Sequence, residues 1–185
     1  MPEMKVIGAA IGAVLLIFAI TINSTTSNII AEGNGRTSEN GIWLNRVTDG
    51  FGKQDDPEPT YCDQTDSSAR SCLNADVDSD CCKAVENKCK TLQAFAVLSA
   101  IAALASLGGF VVPMVGMGSA AFNALCNLIL FSITASLING DNGQTNKDSD
   151  CGFDGITGTD VTGGAAFGLA IVSWLLAMGQ AFVFF

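Results

Sequence analysis

From Leu92 to Val112 the chain reads LQAFAVLSAIAALASLGGFVV, twenty-one residues without a charge. A helix of that length rises about 30 Å, the thickness of bilayer hydrocarbon. Working outward, three further uncharged runs share the property: Val6–Ile22, Ser119–Ile138 and Gly163–Phe185. The charges lie between them. Of nine Lys+Arg and eighteen Asp+Glu, only Glu3 and Lys5 fall outside residues 23–91 and 139–162. Such segregation belongs to a protein whose solvent changes from water to lipid along the chain. The expected fold class is all-α membrane: a four-helix transmembrane bundle with a small disulfide-stapled extracytoplasmic loop domain of short β-strands plus a short helix.

The organisation follows. Residues 1–22 form the first transmembrane helix with a short N-terminal lead. No A-x-A site follows it, so it reads as a signal anchor rather than a cleaved leader. Residues 23–91 are a large cysteine-rich loop, and 92–138 hold the second and third spans, joined by a turn at Met114–Gly118. Residues 139–162 are a second loop and 163–185 the fourth span. Four crossings put both loops on one side of the membrane. The positive-inside rule has little to count here, because loops longer than about 60 residues cross regardless of charge.

Cysteine usage decides the orientation. Cys62, Cys72, Cys81, Cys82 and Cys89 lie in the first loop and Cys151 in the second. Six on one face allow three bridges in 15 connectivities, and disulfides persist in oxidising compartments. Both loops are therefore expected to face outside the cytosol. Cys151 needs a partner, so at least one bridge should tie the loops together. The absence of any C-x-x-C spacing disfavours a zinc site. Cys126, inside the third span, reads as a small apolar filler.

Within the first loop, Asn28–Ala31, Gly41–Leu44 and Arg46–Val47 carry strand-type residues between Gly/Asn breaks. Asp55–Thr60, with two prolines, reads as a turn or linker. Ser79–Lys90 reads as a helix that runs into the second span. Asn23-Ser24-Thr25 is a glycosylation sequon set against the membrane, where it is expected to stay unmodified. Asp76, Asp78 and Asp80 begin a calcium-loop spacing, but Cys81 and Asn87 stand where glycine and glutamate are needed. A solvated acidic face is the better reading, and no metal or cofactor is expected.

Composition excludes whole classes of function. There is no histidine, which removes Ser-His-Asp and Cys-His catalysis. No Lys/Arg patch exists to hold nucleic acid at a net charge of −9. No span carries an ionisable residue, against proton relays and voltage sensors. The spans hold small residues instead. Gly8-x-x-x-Gly12 and Gly164-x-x-x-Gly168 are close-packing patterns. Asn123 and Asn127 share a face of the third span, and Gln180 is expected at the depth of Asn123, poised for an interhelical amide bond.

Three local features carry a family resemblance. Gly41-Ile42-Trp43 looks like a G-L-W motif, Cys62 and Cys72 look like a loop cysteine pair, and Leu92-Gln93-Ala94 looks like an L-Q-A opening of the second span. With the large loop between spans one and two, the chain resembles the claudin and peripheral-myelin-protein superfamily, which includes the amastin-like proteins. Cys81, Cys82, Cys89 and Cys151 are additional to that pattern. The resemblance implies a left-handed bundle, a small sheet in the first loop, and lateral association or adhesion through the loops. The expected function is thus non-enzymatic and structural, with partners in the lipid bilayer, copies of itself or other membrane proteins. The expected location is the plasma membrane or secretory pathway. An accessory subunit of a large membrane complex, in an organelle for example, is the alternative, and a channel a third.

Overall fold

A computed structural model describes residues 2–25, 29–33, 36–48, 58–59, 79–138 and 160–185. Four long helices dominate: α1 (Pro2–Ser24), α2 (Ser79–Ser106), α3 (Pro113–Ile138) and α4 (Ala165–Phe184). Each contains a stretch long and apolar enough to cross a membrane. The chain is a multi-pass integral membrane protein whose spans contact the lipid bilayer. The outward surface fits that solvent: Ile17, Ile101, Leu104, Leu125, Leu175 and Phe182 are all exposed.

The helices form a ring in the order α1, α2, α3, α4, each packed on the next and α4 closing on α1. Their buried positions explain why. On α1 these are Gly8, Gly12, Leu15, Ala19 and Ile22, and on α4 Ala166, Ala170, Ser173, Ala177 and Gln180. On α3 the seam runs Gly116, Ala120, Asn123, Asn127, Leu130, Thr134 and Leu137. Steps of three and four alternate, giving the 3.5-residue repeat of left-handed helix pairs. Most of these residues are small. Lipid tails are as apolar as Leu, so close van der Waals approach, not burial from water, holds such helices together.

The turn between α2 and α3 is tight. A 3-10 turn at Leu107–Phe110 ends α2, and the Val111 and Val112 amides both donate to the Gly108 carbonyl, each at 3.0 Å. The turn expected at Met114–Gly118 is instead the first turn and a half of α3. Pro113 is pre-organised for a helix start, and Gly116 leaves room for Gly109, whose Cα a Cβ there would meet.

On the loop side lies a five-stranded antiparallel sheet in the order β4-β3-β2-β1-β5. Its strands are β1 (Ile29–Gly33), β2 (Arg36–Asn40), β3 (Leu44–Thr48), β4 (Glu58–Pro59) and β5 (Asp160–Gly163). Four come from the first loop and one from the second. The bundle sets this topology. β1 follows α1 closely and β5 feeds α4 through Gly164, so the antiparallel neighbours α1 and α4 extend into the antiparallel pair β1/β5. Ile29 lies opposite Gly163, and Glu32 opposite Asp160. At the end of the β1/β2 pair, Gly33 lies opposite Arg36.

The loop departs from expectation at two segments and holds one strand that no expectation covered. Gly41–Leu44 is not a strand. Residues 41–43 form a bend and only Leu44 begins β3. Ile42 and Trp43 are apolar because they seat on the bundle, not because they alternate along a strand. β2 reads RTSEN and carries no apolar alternation, so periodicity does not reveal it. Glu58–Pro59, inside the expected turn, forms the short edge strand β4, where proline's missing N–H is tolerated.

Candidate functional site

The features that bear on function are the sheet, its attachment to the helices, and the polar groups within the bundle. The attachment begins with Ile42, which is buried, and Trp43, which is half-buried. Trp43 Nε1 donates to Asn23 Oδ1 at 2.9 Å. The Asn23 amide nitrogen in turn donates to the Ala19 carbonyl at 2.8 Å and, across to α2, to the Ala96 carbonyl at 3.3 Å. Gln93 Nε2 donates to the Ile42 carbonyl at 3.3 Å. One bend of the loop is thereby clamped to the loop-side ends of both α1 and α2. Beneath it, Ile22, Ile29, Ile42, Cys89, Leu92 and Ala96 belong to one hydrophobic cluster. Sheet and bundle share a core. The sequon asparagine is a structural member of this clamp, with its amide nitrogen committed to two carbonyls.

Cys89 lies at the base of the clamp and is buried. Cys81 and Cys82 stand in the first turn of α2. Cys62, Cys72 and Cys151 lie outside the described residues, as do Asp76 and Asp78; Asp80 falls within α2. Cys126 is free and fully buried in α3. Among the described residues no group of three His, Cys, Asp or Glu could hold a metal.

Two polar clusters lie within the bundle. Near the α2/α3 turn, Gln180 Nε2 donates to the Gly8 carbonyl at 2.8 Å and to Ser106 Oγ at 3.2 Å. This ties α4 to α1 and α2. Farther along, Ser99 Oγ donates to Asn123 Oδ1 at 2.9 Å, and Asn127 Nδ2 reaches Asn123 Oδ1 at 2.8 Å and Ser99 Oγ at 3.1 Å. The amide bond expected between Asn123 and Gln180 is replaced by these two clusters. The reason is the early start of α3. Six extra residues at its N-terminus carry Asn123 roughly 9 Å deeper than a helix starting at Ser119.

The glycines divide similarly. A Cβ at Gly8 would meet the Phe184 ring at 2.5 Å, and one at Gly12 would meet Gln180 Nε2 at 2.8 Å. Gly8-x-x-x-Gly12 therefore packs inside the molecule. Gly164 is buried at the head of α4, whereas Gly168 is exposed with nothing near its Cα, so it makes no packing contact in the bundle. A close approach of backbone to backbone involves a pair that no motif marks. A Cβ at Gly116 would lie 2.5 Å from the Gly109 Cα. The residues missing from a sequence-based site are thus Asn23, Gln93, Ser99, Ser106, Gly109 and Gly116. Polar or bare residues inside uncharged spans were the available signal.

No protein-family model matches the chain, and no curated protein sequence is significantly similar to it.

Proposed function

We propose that this is a non-enzymatic structural or adhesion protein, acting through a rigid platform of its two loops and through lateral association in the membrane. The observation that carries this reading is the shared sheet. Strands from both loops pair in one register, seated on the bundle through Trp43, Asn23 and Gln93. Loops that only connect helices need no such construction, whereas a surface that must present a fixed shape does.

Two of the three segments that carry the claudin-like resemblance touch: Gln93 of the L-Q-A segment holds the carbonyl of Ile42 in the G-I-W segment. This favours the same superfamily plan for this chain. The six loop cysteines, Cys62, Cys72, Cys81, Cys82, Cys89 and Cys151, form three bridges in an oxidising space on this reading. The plasma membrane or secretory pathway provides that space. Ser99, Ser106, Asn123, Asn127 and Gln180 serve as interhelical glue, each bonded to a neighbouring helix.

The test is chemical cross-linking and freeze-fracture imaging of the protein at its natural abundance. Homopolymers or particle rows support the proposal. Dispersed monomers contradict it, and co-purification with a large assembly of other chains favours an accessory subunit instead.

A further inference from the structure

Among the described side chains, every helix hydroxyl has a hydrogen-bond partner except one. Thr21, Ser119, Ser132 and Thr134 bond back to a carbonyl four residues earlier. Ser99 reaches Asn123 across the bundle. Ser173 Oγ, on α4, does neither, although Ser173 is 2% exposed. Ser173 belongs to the buried face of α4, between Ala170 and Ala177.

Asn127 Oδ1 is a second orphan. Its orientation is fixed, because Asn127 Nδ2 donates to the Asn123 carbonyl at 2.9 Å and to Asn123 Oδ1 at 2.8 Å. Flipping the amide would set one oxygen against two others.

Of the three buried side-chain atoms without a partner among the described residues, Gln180 Oε1 lies near the turn end, and Ser173 and Asn127 lie at one level by helix rise. Gly116 on α3 lies against Phe184 on α4. Eleven residues up α3 from Gly116 is Asn127, and eleven residues up α4 from Phe184 is Ser173, about 16 Å in each case. The packing brackets that level from both sides. Ala124 and Ala177 share one hydrophobic cluster, and Leu130 and Ala170 share the other. The flanking Ala124, Ala170 and Ala177 leave the seam thin in side chains.

We propose that a single water molecule is a fixed constituent of the α3/α4 seam at this level. It donates to Asn127 Oδ1 and accepts from the Ser173 hydroxyl. The level holds two buried polar atoms without a protein partner, among small side chains, which is what a buried water requires. The hydrocarbon around the bundle offers neither group another partner. Such a water locks α4, the helix that carries β5, to α3 at mid-membrane depth.

The full chain in lipid nanodiscs, labelled with nitrogen-15 asparagine, allows a water-to-side-chain cross-relaxation measurement at the Asn127 amide. The expected result is a persistent water cross-peak that falls to background in Ser173→Ala and is retained in Ser173→Thr. Unchanged asparagine amide shifts elsewhere show that both variants fold. If Ser173→Ala does not fold, density at a resolution that shows ordered water decides alone, with an oxygen within hydrogen-bond reach of both atoms expected. The proposal is overturned if the wild-type amide shows no water contact, if Ser173→Ala leaves the cross-peak intact, or if density shows Ser173 Oγ bonded directly to Asn127 Oδ1.

Discussion

The two ends of the bundle are closed by opposite means. At the turn end, closure comes from removing side chains: Gly8, Gly12, Gly109 and Gly116 bring backbones against the Phe184 ring, Gln180 and one another. At the loop end, closure comes from inserting side chains: Ile42 and Trp43 descend from the loop onto α1 and α2. The physical reason is the solvent. Inside the bilayer, burial of apolar surface gains nothing over lipid, so contact distance is the available lever. At the water-facing end the hydrophobic effect acts, at about 25 cal/mol per Å² of apolar surface buried, and large side chains become the better closure.

That contrast can be broken most severely at the turn end. Gly116→Leu should destabilise the protein by about 3 kcal/mol or more, since the new side chain meets backbone rather than a movable group. Detergent unfolding followed by circular dichroism reads the effect, and a stability within about 0.5 kcal/mol of the parent would refute the Gly109–Gly116 contact. At the loop end, Trp43→Ala should cost about 2–3 kcal/mol by loss of packing. Trp43→Phe should cost about 1 kcal/mol, because it removes the bond to Asn23 but keeps an aromatic ring in place. Equal losses in the two variants would show that the hydrogen bond, not the inserted ring, closes that end.

A smaller effect is expected from Gln180→Leu, about 1 kcal/mol. It deletes the bonds to Gly8 and Ser106 but also removes a buried oxygen that has no partner. A gain in stability would show that the turn end prefers purely apolar packing. Gly168→Leu should change monomer stability by less than about 0.5 kcal/mol, because its Cα faces open space. If it alters cross-linking yield at unchanged stability, the outer face of α4 is a lateral contact.

The same contrast explains what the sequence discloses. The four spans are legible because an uncharged run of this length has few other uses. Gly8 and Gly12 are legible because small residues four apart share a helix face. Gly109 and Gly116 are not, because their contact depends on where α3 begins, and the Met114–Gly118 segment looks like a turn until Pro113 is seen to start a helix. That boundary shift also dissolved the expected pairing of Asn123 with Gln180. The loop end is harder still. Asn23 reads as a sequon, Ile42-Trp43 as a strand and Gln93 as part of a motif opening the second span, and only long-range folding brings them together. β2 shows that pairing can be imposed on a polar segment by its neighbours rather than by its own pattern.

The account rests on both loops lying on one face of the membrane and sharing one sheet. Ala31 and Val161 are directly opposed in the β1/β5 register. The pair Ala31→Cys with Val161→Cys, expressed in native membranes and analysed by proteolysis and mass spectrometry without reduction, should yield a peptide disulfide-linked between positions 31 and 161 in high yield. Displaced pairs such as Ala31→Cys with Ser99→Cys should yield none. Two free thiols at positions 31 and 161, or labelling of the two sites from opposite sides of the membrane, would contradict the shared sheet and the function built on it.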